Sequence, residues 1–232
     1  MEIRIYQGND LTLPDADANV VIDVVRAFTV AHYAFIGGAE AIVLVPEVAE
    51  ALAARDELPH ALLAGEVGGL VIEGFDLDNS PRRFAETDLQ GRTIIQKTTN
   101  GVKAALHSLD APTVLVTGFS NARATATYLA GLNNLRSVNL VASHPTGDED
   151  LACAEYIRSL LLGEEIESEE VQRRIRSSAT VQKFLDPSQP AFDPADIDYC
   201  SKPLSAEFVM AIACEPKPIV RKVMLQPGTK KL

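Results

Sequence analysis

Between residues 19 and 143 one pattern recurs: a short β-branched apolar run, then a stretch with helical spacing. NVVIDV (19–24), AIVLV (41–45), HALLAG (60–65), RTIIQK (92–97), TVLVT (113–117) and SVNLVAS (137–143) read as strands, preceded by EIRIY (2–6). Helical spacing falls at 29–37, after Pro46, around 100–109 and 120–131, and in EDLACAEYIRSLLL after Asp148. Strand and helix alternating at this rhythm specify βαβ units, so the expected fold class is α/β. The expected architecture is three-layer α/β/α with a largely parallel or mixed central sheet. Residues 1–163 form the expected catalytic core. Residues 164–232 are an α-rich extension in which Pro187, Pro190, Pro194 and Pro203 break the pattern. Within it EPKPIVRKVML can return a strand to the core, and PGTKKL reads as a frayed tail.

An open parallel sheet places ligands beyond the carboxyl ends of its strands. Unusual polar residues gather just after the predicted strands. Asp23 and Arg26 follow the second: a carboxylate there can bind Mg²⁺ or attack phosphorus, and a guanidinium grips phosphate oxygens. An equally simple role is a structural pair at the start of the next helix. AGEVGGLVIEGFDLDNSP (64–81) holds four glycines with Glu66, Glu73 and Asp76, then Asn79, Ser80 and Pro81. Glycines let backbone amides approach an anion, and hard carboxylates suit Mg²⁺. Ser80 followed by Pro81 also has the form of a helix cap. The segment is neither a P-loop nor a dinucleotide fingerprint. Thr98, Thr99, Asn100 and Gly101 stand between a strand and a helix, where amides can hold an anion or hydroxyls simply cap. Ser120 and Asn121 repeat that arrangement. His144 is a candidate general acid or a plain loop residue, and Glu149 and Asp150 either reach the crevice or complement a helix dipole. No GxSxG elbow is present, so a serine-hydrolase triad is not expected.

The formal charge of −11 argues against nucleic acid, which needs a basic stripe. It does not exclude a small anion, which responds to the local field of a cleft. Much of the acidity sits in GEEIESEE (163–170), expected as a solvated helix start. Cys153, Cys200 and Cys214 are widely spaced and fit neither a zinc site nor a disulfide framework. No apolar run is long enough for a membrane span, and the charged opening residues are unlike a secretory leader, so a cytoplasmic location is expected.

The wording of these clusters is distinctive. VIDVVRAFT (21–29), AGEVGGLVIEGFDLDNSP (64–81), TIIQKTTNGVKA (93–104) and GFSNARATA (118–126) resemble, in order and spacing, the 2-phosphosulfolactate phosphatase family, Mg²⁺-dependent phosphatases associated with coenzyme M biosynthesis. The resemblance covers roughly residues 2–160. It implies a phosphoric monoester hydrolase with Mg²⁺ as cofactor and a small anionic phosphoester as substrate. Carried onto matching positions, the family's polar set is Asp23, Arg26, Glu66, Asp76, Asn79, Ser80, Thr98, Thr99, Asn100, Gly101, Ser120 and Asn121. Asp76, Glu66 and Asp23 are the expected metal ligands, with Asp23 alternatively the nucleophile, and Asp23, Arg26, Glu66 and Asp76 the expected catalytic set. The remaining residues are expected to bind substrate. Two positions that are often basic in the family are Val67 and Val102 here, and the turn at 142–150 is altered, which shifts the expectation for the substrate rather than the chemistry. A non-catalytic anion-binding protein is the competing expectation, and homodimer formation is left open.

Overall fold

A computed structural model describes residues 1–164, 167–214 and 217–226. The elements in chain order are β1 (Glu2–Gln7), β2 (Ala18–Ile22), α1 (Ala27–Ile36), β3 (Ala41–Leu44), α2 (Val48–Glu57), β4 (Leu62–Val67), β5 (Leu70–Val71), α3 (Pro81–Ala85) and β6 (Thr93–Lys97). They continue with α4 (Gly101–Leu106), β7 (Thr113–Thr117), a 3-10 turn (Phe119–Asn121), α5 (Ala122–Ala130), β8 (Ser137–Ala142) and α6 (Asp148–Leu162). The last third supplies α7 (Ser168–Ser177), α8 (Ala179–Leu185), α9 (Ala195–Cys200), β9 (Phe208–Ala213) and β10 (Ile219–Met224). The expected tail at 227–232 and part of the acidic run, at 165–166, lie outside the described residues.

The strands join into one sheet of order β1-β8-β2-β7-β9-β10-β3-β6-β4-β5. Two parallel blocks, β1-β8-β2-β7 and β3-β6-β4, flank an antiparallel hairpin, β9-β10. That hairpin is the main departure from expectation. A returning strand was foreseen in EPKPIVRKVML, but β9 was not, and the pair lies in the middle of the sheet, bonded to β7 on one side and β3 on the other.

Side-chain alternation assigns the layers. In β2, Val21 faces α1, while Val20 and Ile22 face the outer helices; in β3, Ile42 and Leu44 face α1 and Val43 turns to α2. Helices α5, α6 and α7 cover the outside of the first block and α2 that of the second. Helix α1 is buried on all sides from Ala27 through Phe35 and packs against inner-face residues of both blocks, including Val116, Val141 and Ile94. The chain is therefore a three-layer α/β/α fold with a mixed sheet curled about one helix. Among the described residues no helix is long and apolar enough to cross a membrane.

Three antiparallel steps separate the blocks, so along the ladder their strands run in opposite senses. Twist of roughly 20–25° per step accumulates across the sheet and turns the carboxyl ends of β2 and β6 toward each other. Gln96 Nε2, on β6, donates to the Ala27 carbonyl at the start of α1 at 3.0 Å. Gly101 packs so tightly on Asp23 that a Cβ there would lie 2.5 Å from Asp23 Oδ2. The expectation of a single carboxyl edge is thus modified. Two edges meet at the N-terminus of α1.

Candidate active site

Asp23 leaves β2 at the point where the backbone turns into α1. Its amide still pairs with the Thr117 carbonyl of β7 (3.1 Å), while its side chain has turned to the helix: Oδ1 accepts the Ala27 amide at 2.8 Å. The first-turn amide thereby finds a partner that a hydroxyl cap would otherwise supply. Oδ2 accepts from Ser143 Oγ at 3.2 Å, which links the end of β2 to the loop after β8.

Glu66, near the end of β4, ties two loops together. Its carboxylate accepts the Thr99 amide (2.5 Å), the Thr99 hydroxyl (3.0 Å) and the Gly69 amide, while Gly68 N donates to Thr99 Oγ1 at 2.9 Å. The hairpin from β4 to β5 turns on Gly68 and Gly69, both at positive φ (62° and 87°), as a tight primed turn requires. Just before it, Gly65 has φ 146° and a Cβ there would stand 1.8 Å from the Lys97 carbonyl. No other residue fits while β4 and β6 stay paired.

Arg26 is held from a distance in sequence. Nη1 pairs with Asp196 of α9 at 2.9 Å and Nη2 donates to the Gly69 carbonyl at 3.0 Å, with the Phe184 ring 5.0 Å below the guanidinium. Asp196 also accepts from Ser80 Oγ (2.6 Å) and the Arg82 amide (3.3 Å). Burial raises the Asp196 carboxyl against the pull of Ser80 and Arg26. A buried ion pair so supplied with hydrogen bonds fixes one orientation of the guanidinium.

Two further acids lie beneath, in the first turn of α6. Asp150 accepts from the amides of Val24 (2.7 Å) and His144 (3.0 Å) and from Ser143 Oγ (3.1 Å). Glu149 is fully buried, and neither carboxyl oxygen meets a hydrogen-bond partner among the described residues. Gly147 leaves it room, since a Cβ there would touch Glu149 Oε1 at 2.4 Å. Burial raises the Asp23 carboxyl to about 6, with Glu66 and Glu149 pushing the same way against the Ala27 and Ser143 hydrogen bonds. Burial, then Asp23 and Glu149, hold Asp150 well above the usual carboxylate range. Raised native values mean that the folded chain keeps protons the unfolded chain releases, so this stabilisation is complete below about pH 4 and fades as pH climbs through about 6. EDTA-treated protein should lose on the order of 2–3 kcal/mol between pH 4 and 7 from Asp23 alone, read as a falling urea midpoint. A midpoint that rises across that window contradicts the arrangement.

The structure brings Asp23, Arg26, Glu66, Asn79, Thr99 and Asn100 together around a cleft of about 230 Å³. It does not bring Asp76 there. The Asp76 carboxylate accepts the Leu63 amide at 2.8 Å and pairs with Arg55 at 2.9 Å on the outer side of β4, which removes it from the expected metal set. Ser80 caps α3 through Arg83 N (3.3 Å) and supports Asp196; Thr98 accepts the Val102 amide (3.0 Å) as a helix cap. Ser120 pairs with His32 Nδ1 at 2.8 Å, a histidine whose pKa burial lowers to about 4, and Asn121 Oδ1 accepts from Thr117 Oγ1 (3.0 Å) and Gly118 N (3.1 Å). These four, with Gly101 packed on Asp23, stand behind the cleft and shape its walls. Sequence reasoning missed Asp196, Thr180, Lys183 and Phe184, all from the last third, of which the latter three line the cleft. A buried acid in a short helix and one basic residue in an amphipathic one carry no local signal.

The donor set fits a hard cation. Glu149 is a buried carboxylate with both oxygens unanswered, beside Asp23, and such a group needs a proton or a cation. Among the described residues no three His, Cys, Asp or Glu side chains form a closed metal cage. Mg²⁺ needs none, since it is commonly held by one or two carboxylates, waters and substrate oxygens.

Comparison with known proteins gives one consistent result. The family model described as 2-phosphosulpholactate phosphatase matches residues 6–213. A probable 2-phosphosulfolactate phosphatase of Bacillus subtilis is 50% identical over 228 residues, 97% of this chain and 100% of the relative. Proteins of the same name are 39% identical in Carboxydothermus hydrogenoformans (68% of this chain, 66% of the relative) and 36% in a Synechocystis species (69% of each). With the match running from β1 to the end of β9, the chain belongs to the 2-phosphosulpholactate phosphatase family.

Proposed function

We propose that this protein hydrolyses the phosphate monoester of a small acidic hydroxy acid, 2-phosphosulfolactate by analogy with the names of its relatives, and that it uses Mg²⁺. The observation that supports the reading most directly is the unanswered, buried Glu149 carboxylate behind Asp23, which itself lines a cleft that also holds Arg26. Asp23 and Glu149 would hold the ion. When bound, Mg²⁺ supplies charge neutralisation at the phosphoryl oxygens and acidifies a water molecule.

The chain's own residues do the rest. Arg26, fixed by Asp196, offers its remaining N–H to a phosphoryl oxygen without the entropy cost of ordering a free side chain. Asn100 and Asn79 offer amide groups at the rim; Asn79 Oδ1 has no partner among the described residues, so it is available to a substrate hydroxyl or water. His144 lines the same cleft, and its Nδ1 accepts the Thr146 amide at 3.3 Å, which leaves Nε2 as the donor of the ring. As the P–O bond breaks, water gives its OH to phosphorus and its other proton to the departing alkoxide, which the His144 N–H steadies by a hydrogen bond.

The test is phosphate release from a panel of phosphorylated hydroxy acids that includes 2-phosphosulfolactate, with Mg²⁺ and with EDTA. Release with Mg²⁺ should exceed that with EDTA by at least about a hundredfold, the scale of losing one strong charge stabiliser. Equal rates would remove the metal from the mechanism. Silence across the panel with retained phosphate binding would make the protein a non-catalytic anion binder.

A further inference from the structure

Lys183 is an ammonium in the cleft that nothing in the chain's own chemistry employs. It projects from α8, and its Nζ lies 4.7 Å from the centroid of Phe192 and 5.7 Å from that of Phe184. Those contacts hold the aliphatic stem and the charge in place. Among the described residues Nζ makes neither a hydrogen bond nor an ion pair. It stands close above the β4–β5 turn, 3.2 Å from where a Cβ on Gly69 would be. Arg26 donates to the carbonyl of that same Gly69, so two cations flank one residue. Their proximity costs energy: burial lowers the pKa of Lys183 first and Arg26 lowers it further, while the more distant carboxylates of Glu66, Glu149 and Asp23 pull the other way. A fold that sets two cations side by side in a cleft and gives only one of them a directly bonded partner leaves the other open to an anion. Arg26, on the floor beside Asp23, serves the phosphoryl end. Val67, exposed at the turn, and Val102, buried in α4, bring no charge to the cleft.

We propose that Lys183 binds the sulfonate of the substrate, an anionic group beyond its phosphate and carboxylate, and so selects sulfonated phosphoesters. The assignment deepens the phosphatase reading and rests on it for the identity of the substrate. An ammonium with three donors serves the oxygens of a sulfonate as a point charge, and a guanidinium at the same place could pair with two of them. The charge that Val67 and Val102 do not supply thus comes from a distant part of the chain.

The test compares the wild-type protein with Lys183→Met and Lys183→Arg on two esters that differ only in the sulfonate, 2-phosphosulfolactate and 2-phospholactate. In Lys183→Met the preference for the sulfonated ester, as the ratio of kcat/KM values, should fall at least about tenfold, the scale of one charge-assisted hydrogen bond, with KM carrying most of the change. Lys183→Arg should restore most of it. Equal losses on both esters would place Lys183 at the phosphoryl group and overturn the proposal, as would an unchanged ratio. Calorimetric titration with sulfolactate, which carries no phosphate, separates this from the activity itself. At least tenfold weaker binding in Lys183→Met sustains the proposal even if no ester is hydrolysed. Equal affinity, or no binding by the wild-type protein, ends it.

Discussion

Asp23→Asn should lower turnover by at least about a thousandfold while leaving the fold intact. The replacement is isosteric, and its carbonyl oxygen can still accept the Ala27 amide that Oδ1 accepts at 2.8 Å, so the start of α1 keeps its partner. What disappears is the charge. Beside Glu149 and Glu66, Asp23 completes a concentration of negative potential that a bound cation relieves at neutral pH. Removing one carboxylate weakens the hold on Mg²⁺ and withdraws transition-state stabilisation together, each worth a few kcal/mol of barrier. The metal-free variant should be at least as stable as the metal-free wild type, because a buried carboxyl raised to about 6 is a burden at neutral pH. Added Mg²⁺ should raise the melting temperature of the wild type more than that of the variant. Activity within tenfold of wild type would remove Asp23 from the chemistry, and a collapsed fold would show that its role is to hold α1.

The second large effect is on stability and comes from a residue outside the cleft. Asp196→Ala should destabilise the protein by about 3–5 kcal/mol, because it strands the guanidinium of Arg26, whose side chain is only 5% exposed, without its partner. Ser80 Oγ loses its acceptor as well, since Asp196 Oδ1 receives that hydroxyl at 2.6 Å. Asp196→Asn keeps an acceptor for both and should cost clearly less. Urea midpoints of the three proteins, measured without metal, decide the matter. A loss under 1 kcal/mol in the alanine variant would mean that Arg26 finds another partner. The activity of Asp196→Ala should fall with its stability, because a guanidinium free to rotate no longer presents a fixed N–H to a phosphoryl oxygen.

Much of this was legible in the sequence because it is local. The strand runs are stated by β-branched periodicity, and the loop at 64–81 by glycines that only a tight turn explains. The same local logic misled where capping and catalysis use the same residue types. Ser120 and Asn121 stand after a strand like a substrate-binding pair, but buried beside His32 and Thr117 their hydrogen bonds are spent inside the protein. Asp76 sits in the most distinctive motif, and its carboxylate is committed to Leu63 N and Arg55. Conversely, Asp196, Thr180, Lys183 and Phe184 reach the cleft only because α8 and α9 fold back across it. No spacing rule links residue 26 to residue 196. Glu149 was visible as an acid at a helix start, where dipole complementation is explanation enough; only its complete burial sets it apart.

The placement of β9 and β10 bears on how the chain is made. Until β9 and β10 have been made, β7 and β3 have no shared neighbour, and each exposes an open edge. Neither half can be sealed by the other, since their strands pair only through this late insert. Before that pair is made the nascent chain holds two incomplete sheets around one apolar helix, a state prone to sticking to its neighbours and to capture by chaperones. The cleft, walled by residues of both blocks and of α8, comes into being only once that pair has joined them.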